Sequence, residues 1–422
     1  MYDLLFRQAM VVDGTGAPGF VADVALAGDR FVAVAPHIEG QAERVIRAQG
    51  LVLAPGFIDL HCHSDAYHLE EPAGEIKIRQ GVTLEVVGNC GESLAPLVPE
   101  RAQAAVDHCL GGAGRFSRTI DWLSYGQYTA KVEAARPVLN VAGLVGHGTV
   151  RVAVMGFANR PATSAELDTM AGLLDDALAA GAAGMSTGLY YAPGLFATTE
   201  EVIALARVVA RRGGYYATHM RNEAEGLLEA LEETLTIGRA SGAPVHVSHL
   251  KAAGSRNWPK AEPAVAKIEA ARREGLDVTC DVYPYHFSST TLQAVIPPWA
   301  LEGGADALVH RSGNDAHRAS LGHEEVHGQF EGVGLGRRRG LGDALTLEVA
   351  ARRRIDGRDG DLLPAGIVVD VLPAGQTVLD LGEDCGPGCR SAQALNERVR
   401  PDLQRPVRDD SLEGGAGEMI GV

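Results

Sequence analysis

From residue 55 onward the chain alternates short apolar runs with longer stretches of helical periodicity, and few folds accommodate that order. The strand-like runs are 57–63, 82–89, 138–146, 183–189, 215–219, 245–250 and 278–285. Between them lie helix-like stretches such as TSAELDTMAGLLDDALAAG, where Thr163 or Ser164 is a candidate cap and Glu166 falls near the third helical position. Strands alternating with helices read as βα units of a parallel sheet or barrel. Seven strands suggest a (β/α)₈ barrel of the TIM type whose eighth strand is not found, which leaves it incomplete. A doubly wound sheet is disfavoured because no Gly-rich phosphate loop follows the first strand.

Residues 1–54 read differently. Short bursts of alternating apolar and polar residues, separated by Gly, Asp and Pro, predict a small β domain of short antiparallel strands joined by turns. The division expected is therefore 1–54, a barrel over 55–310, and a remainder over 311–422.

Charge narrows the function. The 54 acidic against 38 basic residues give a net charge of −16, the wrong sign for a nucleic-acid or anionic-membrane surface, so a small-molecule enzyme is expected. Residues 1–20 lack the features of a signal peptide and no apolar run is long enough to span a bilayer, which points to the cytoplasm. Six scattered cysteines (62, 90, 109, 280, 385 and 389) argue against a disulfide framework.

In a barrel the reactive groups sit where strands finish. The first strand leads into PGFIDLHCHSD, where period-2 alternation turns His61 and His63 to one side and Cys62 to the other. The second ends in GNCG at Cys90, the fifth at His219 and the sixth at His249, followed by Lys251. Imidazole nitrogen and thiolate sulfur are the donors zinc prefers, with one position left for water in catalytic sites. Individually His219 and His249 also suit hydrogen-bonded core histidines, and Cys90 a small buried hydrophobe. Their shared position at strand ends favours ligation. Five donors exceed one site, so either two metals share Cys90 or one set is weakly occupied.

With PGFIDLHCHSD, GVTLEVVGNCG, GHGTVR, GMSTGLYYAPG, THMRNE, VHVSHLK and DVYPY in this order, residues 1–310 resemble the N-acyl-D-amino-acid deacylases, or D-aminoacylases, of the amidohydrolase superfamily. The resemblance implies a metal-dependent barrel with a small β-sandwich, removing the acyl group from small-molecule N-acyl-D-amino acids, with neither nucleic acid nor membrane as partner. It puts a tight zinc site on Cys90, His219 and His249, and a weaker second site on His61 and His63 with Cys90 shared. Lys251 and Tyr283 would handle the substrate α-carboxylate, and Tyr191 would line the pocket. Related hydantoinases and dihydroorotases bridge their metals with a carboxylated lysine on strand four, and no lysine lies in 183–189.

The family's proton carrier is an Asp at the end of strand eight, in a Ser-Asp-Gly context followed by His-Pro-Arg. Neither pattern occurs here. Residues 311–422 hold a single aromatic, Phe330, and the arginine runs 337–339 and 352–354, a composition expected to be weakly ordered. A shifted reading frame would produce such a segment. If neither of the other two frames beyond codon 310 restores the missing patterns, that idea is wrong. The base is unassigned, with Asp370, Asp380 and Asp384 competing. His323–His327 matches H-E-x-x-H between two glycines, too short a helix for a metalloprotease site, and Cys385 and Cys389 read as thiols on a turn. The rival to a deacylase is a metal-binding remnant lacking the strand-eight Asp.

Overall fold

The computed structural model describes residues 1–110, 119–283, most of 290–310, and the strand segments 333–336, 345–351, 366–372, 376–381 and 419–421. The chain divides into two compact units, one of residues 1–87, 130–142 and 408–422, the other of 88–129 and 143–407.

In the first unit, β1 (Tyr2–Val11) is the central strand. β2 (Phe20–Ala27) pairs with it antiparallel and with β3 (Arg30–Ala35), while β4 (Ala42–Arg47) and β5 (Val52–Ala54) both run parallel to β1. The sheet is thus mixed, where the sequence predicts antiparallel strands. Alternation specifies which face a side chain takes but is the same for either strand direction. The β1 alternation buries Phe6, Ala9 and Val11 on one face with Val24 and Leu53, and Leu5 on the other with Ala25 and Ile38. Buried Asp23 ties the strands at a bulge. It accepts from Arg7 Nη1 at 2.6 Å and from the N–H of Gln8, whose φ is +56°.

The first unit also holds the parallel pair β6 (Phe57–Asp59) and β7 (Val82–Val87). β8 (Asn140–Gly146) leads into the second unit, where β9 (Gly184–Gly188) runs parallel to it and β10 (Tyr215–His219), β11 (Val245–Val247) and β12 (Val278–Cys280) each run parallel to the one before. Helices 147–155, 164–179, 199–211, 227–241 and 261–273 alternate with them. This is the (β/α) barrel pattern, and among the described residues no strand continues the parallel series beyond β12. The helix Ser164–Ala179 opens on the expected capping box: the Thr163 hydroxyl accepts from Glu166 N, and Glu166 accepts in return from Thr163 N. Where β8 turns into its helix, fully buried Arg151 donates to both Glu201 oxygens at 2.6 Å, and His147 Nε2 lies 2.9 Å from the same carboxylate.

Within 311–422, β13 (Val333–Gly336), β14 (Leu345–Ala351), β15 (Gly366–Leu372) and β16 (Gln376–Leu381) form an antiparallel sheet, and β17 (Met419–Gly421) pairs parallel with β5. Asp370 lies on β15 opposite Thr346 and Val378, and Asp380 on β16 opposite Val368. Asp384, the His323–His327 motif, Cys385 and Cys389 lie outside the described residues. Among the described residues no helix is long and apolar enough to cross a membrane.

Candidate metal centre

In the second unit the donor atoms of Cys90, His219 and His249 all lie within 4.8 Å of one another. His219 is the last residue of β10, and Cys90 and His249 follow the ends of their strands by two or three residues; these two hold backbone conformations that L-residues rarely adopt, with φ +55° at Cys90 and +37° at His249. The flanking glycines permit the Cys90 turn. A Cβ on Gly88 would stand 2.1 Å from the Leu144 carbonyl oxygen, and one on Gly91 would stand 2.6 Å from Gly188 N. Ser186 on β9 latches the turn, accepting from Gly91 N at 2.9 Å and donating to the Gly88 carbonyl at 2.5 Å.

Cys90 Sγ lies 3.6 Å from His249 Nε2. Zinc bonds of about 2.0–2.1 Å to nitrogen and about 2.3 Å to sulfur, at a tetrahedral angle, place neighbouring N and S ligands about 3.6 Å apart. The donor set therefore fits a zinc ion in chemistry, and its Cys90–His249 edge fits one in spacing. Burial, with the Glu92 and Glu223 charges, pushes the Cys90 thiol well up, so a thiolate at this position calls for a cation.

The surrounding side chains orient these donors. Glu223 Oε1 lies 2.8 Å from His249 Nδ1, and Lys251 Nζ lies 2.7 Å from both Glu223 oxygens and 2.8 Å from His249 Nδ1. With Nδ1–H donated to Glu223, the Nε2 lone pair of His249 is turned toward Cys90. Burial pushes the Glu223 carboxyl up, but His219, His249 and Lys251 outweigh it and hold it down at about 2. Asp281 accepts from the His249 N–H at 2.7 Å. Glu223, Asp281 and Ser186 carry no assignment from sequence, although Glu223 stands four residues after His219 in THMRNE and Asp281 opens DVYPY.

The predicted substrate-side residues gather in the same place. The Tyr191 ring packs 4.7 Å from the His219 ring, its hydroxyl 2.7 Å from Thr290 Oγ1, and burial pushes that hydroxyl well up. Lys251 Nζ sits 5.6 Å from the centre of the Tyr283 ring. In the first unit, His61 and His63, predicted within a strand over 57–63, lie just beyond the shorter β6 (Phe57–Asp59), with ring centres 5.6 Å apart. Cys62 between them is buried and its Sγ donates to the Val86 carbonyl at 3.3 Å.

Nitrogen and sulfur donors at the ends of a parallel βα series are the arrangement of a metal site in a barrel-type fold. The chain belongs to the amidohydrolase family, whose model matches residues 44–356. It is 43% identical over 293 residues to the D-aminoacylase of Alcaligenes xylosoxydans xylosoxydans, covering 69% of this chain and 59% of that one. It is 42% identical over 294 residues to the N-acyl-D-aspartate deacylase of the same organism, covering 69% and 57%. Among solved structures, the N-acyl-D-glutamate deacylase of Bordetella bronchiseptica, complexed with zinc and a phosphonate mimic of the tetrahedral intermediate, matches at a TM-score of 0.62 and 40% identity, covering 67% of this chain and 59% of that one. The chain thus spans about three-fifths of the length of these relatives.

Proposed function

We propose that this protein is a cytoplasmic, zinc-dependent hydrolase that cleaves the amide bond of N-acyl-D-amino acids, releasing a carboxylate and a free D-amino acid. The observation that carries the reading is the Cys90, His219 and His249 donor set with its 3.6 Å sulfur–nitrogen edge. Similarity to deacylases over more than two-thirds of the chain supplies the substrate class. A bound zinc ion lowers the pKa of water and polarises the acyl carbonyl. Glu223 holds the His249 ring and the Lys251 ammonium together. Lys251, with Tyr283 beside it, offers the positive charge for the substrate α-carboxylate, and the Tyr191 ring walls the site against His219. His61 and His63 are the proposed ligands of a weaker second ion.

One observation favours the rival, a metal-binding remnant with impaired turnover. Two carboxylates at the donor set, Glu223 and Asp281, are both engaged with His249, which leaves neither placed to carry a proton to the leaving nitrogen. Purified protein supplied with zinc and given N-acetyl-D-methionine or N-acetyl-D-glutamate decides between them. Release of the free D-amino acid establishes the deacylase; stoichiometric zinc without turnover establishes the remnant.

A further inference from the structure

We propose that Asp281, backed by His246, is a positioning residue that holds His249 in its ligating conformation, an inference that rests on the metal reading above. A non-glycine residue at φ +37° is strained and persists only where its surroundings over-determine it. Asp281 is what over-determines it. Its N–H donates to the Val247 carbonyl at 3.1 Å, its carbonyl accepts from Leu250 N at 2.9 Å, and its Oδ1 takes the intervening His249 N–H at 2.7 Å. One residue thus grips the chain before, at and after the bend that aims the imidazole.

The second carboxylate oxygen is tied down in turn. Asp281 Oδ2 lies 2.9 Å from His246 Nε2, and His246 Nδ1 lies 2.8 Å from Thr279 Oγ1. A tautomer with Nε2–H donating to Asp281 and Nδ1 accepting from the Thr279 hydroxyl satisfies both contacts. Both ring nitrogens of buried His246 are then occupied, which makes it a support and not a ligand, although it precedes His249 on the same strand end. Without the carboxylate the His249 N–H loses its acceptor. The residue then relaxes toward negative φ, and Nε2 swings off the position 3.6 Å from Cys90 Sγ.

The test titrates metal-free protein with zinc against a chromophoric chelator, and with cobalt(II) followed by absorbance. Asp281→Ala is expected to weaken zinc by about 10- to 100-fold, as supports of metal ligands generally do. Its cobalt d–d bands should change while the thiolate-to-cobalt band from Cys90 persists. Asp281→Asn, whose side-chain carbonyl still accepts from His249 N–H, should recover most of the affinity. Wild-type zinc affinity and cobalt spectrum in a folded Asp281→Ala protein overturn the inference. If the alanine variant does not fold, His246→Gln is compared with His246→Leu: weaker zinc in the leucine variant alone supports the clamp, and equal affinities overturn it. A wild-type chain that takes up no zinc, or a Cys90→Ala variant that takes up as much, overturns the metal reading itself.

Discussion

Cys90 Sγ and His249 Nε2 meet at 3.6 Å from positions 159 residues apart, each carried on a backbone of positive φ. Two separate departures from ordinary backbone geometry thus point the only sulfur of the donor set at one imidazole nitrogen, a strained arrangement of the kind that accumulates at functional sites.

Removing either end of that relationship should release the metal. After dialysis, elemental analysis is expected to find tightly held zinc in the wild type and to find it lost in Cys90→Ala and His249→Ala. Cys109→Ala, which removes a buried cysteine outside the donor set, should keep it. Full zinc in the first two variants would refute the ligand assignment.

The turn that presents Cys90 should tolerate no side chain at Gly88. An alanine there combines φ +77° with a Cβ 2.1 Å from the Leu144 carbonyl oxygen, and backbone has no rotamer with which to yield. Gly88→Ala should lower stability by on the order of 2–4 kcal/mol, read from urea unfolding midpoints. Gly172→Ala, with open space around the added carbon, should not.

Acid should destabilise the second unit through His108. Burial depresses its pKa from 6.5 to about 4, and its Nδ1 has no hydrogen-bond partner among the described residues. The folded state therefore keeps it neutral where the unfolded chain would take up a proton. Its stabilising contribution is complete above pH 6.5 and is lost as pH falls from 6.5 toward 4, by about 3 kcal/mol in all. Urea unfolding at pH 7, 5.5 and 4.5 should show that fall, and His108→Gln should flatten it. A parallel decline in the variant would assign the pH dependence to other groups.

Lys251 is the test of the substrate side. If its ammonium receives the α-carboxylate, losing a charged hydrogen bond worth about 1.5–3 kcal/mol raises KM by about 10- to 100-fold. Lys251→Ala assayed on N-acetyl-D-methionine at saturating zinc should show that rise, saturating zinc being needed because Lys251 also contacts His249 and Glu223. An unchanged KM would place the carboxylate elsewhere.

Much of this site can be read along the chain, because each donor announces itself locally. His219 closes an apolar run, Cys90 lies between glycines that only a tight turn requires, and the Thr163–Glu166 box marks its helix three residues ahead. Glu223 and Asp281 are different. Nothing within a few residues of Asp281 shows that its carboxylate will face a main-chain N–H 32 residues earlier; the register of β11 on β12, Val247 beside Cys280, decides it. For the same reason alternation in residues 1–54 reports the faces of β1 but not that β4 and β5 would run parallel to it.

By itself, then, the amino-acid order determined the succession of strands and helices, the donor types and their places at strand ends, since those follow from side-chain periodicity, caps and turns that act over a few residues. Only the tertiary structure decided that Cys90, His219 and His249 converge within 4.8 Å and that two carboxylates engage His249. Ångström-scale distances between remote side chains depend on how strands register and pack against one another, and that is settled by the summed burial and hydrogen bonding of the whole unit.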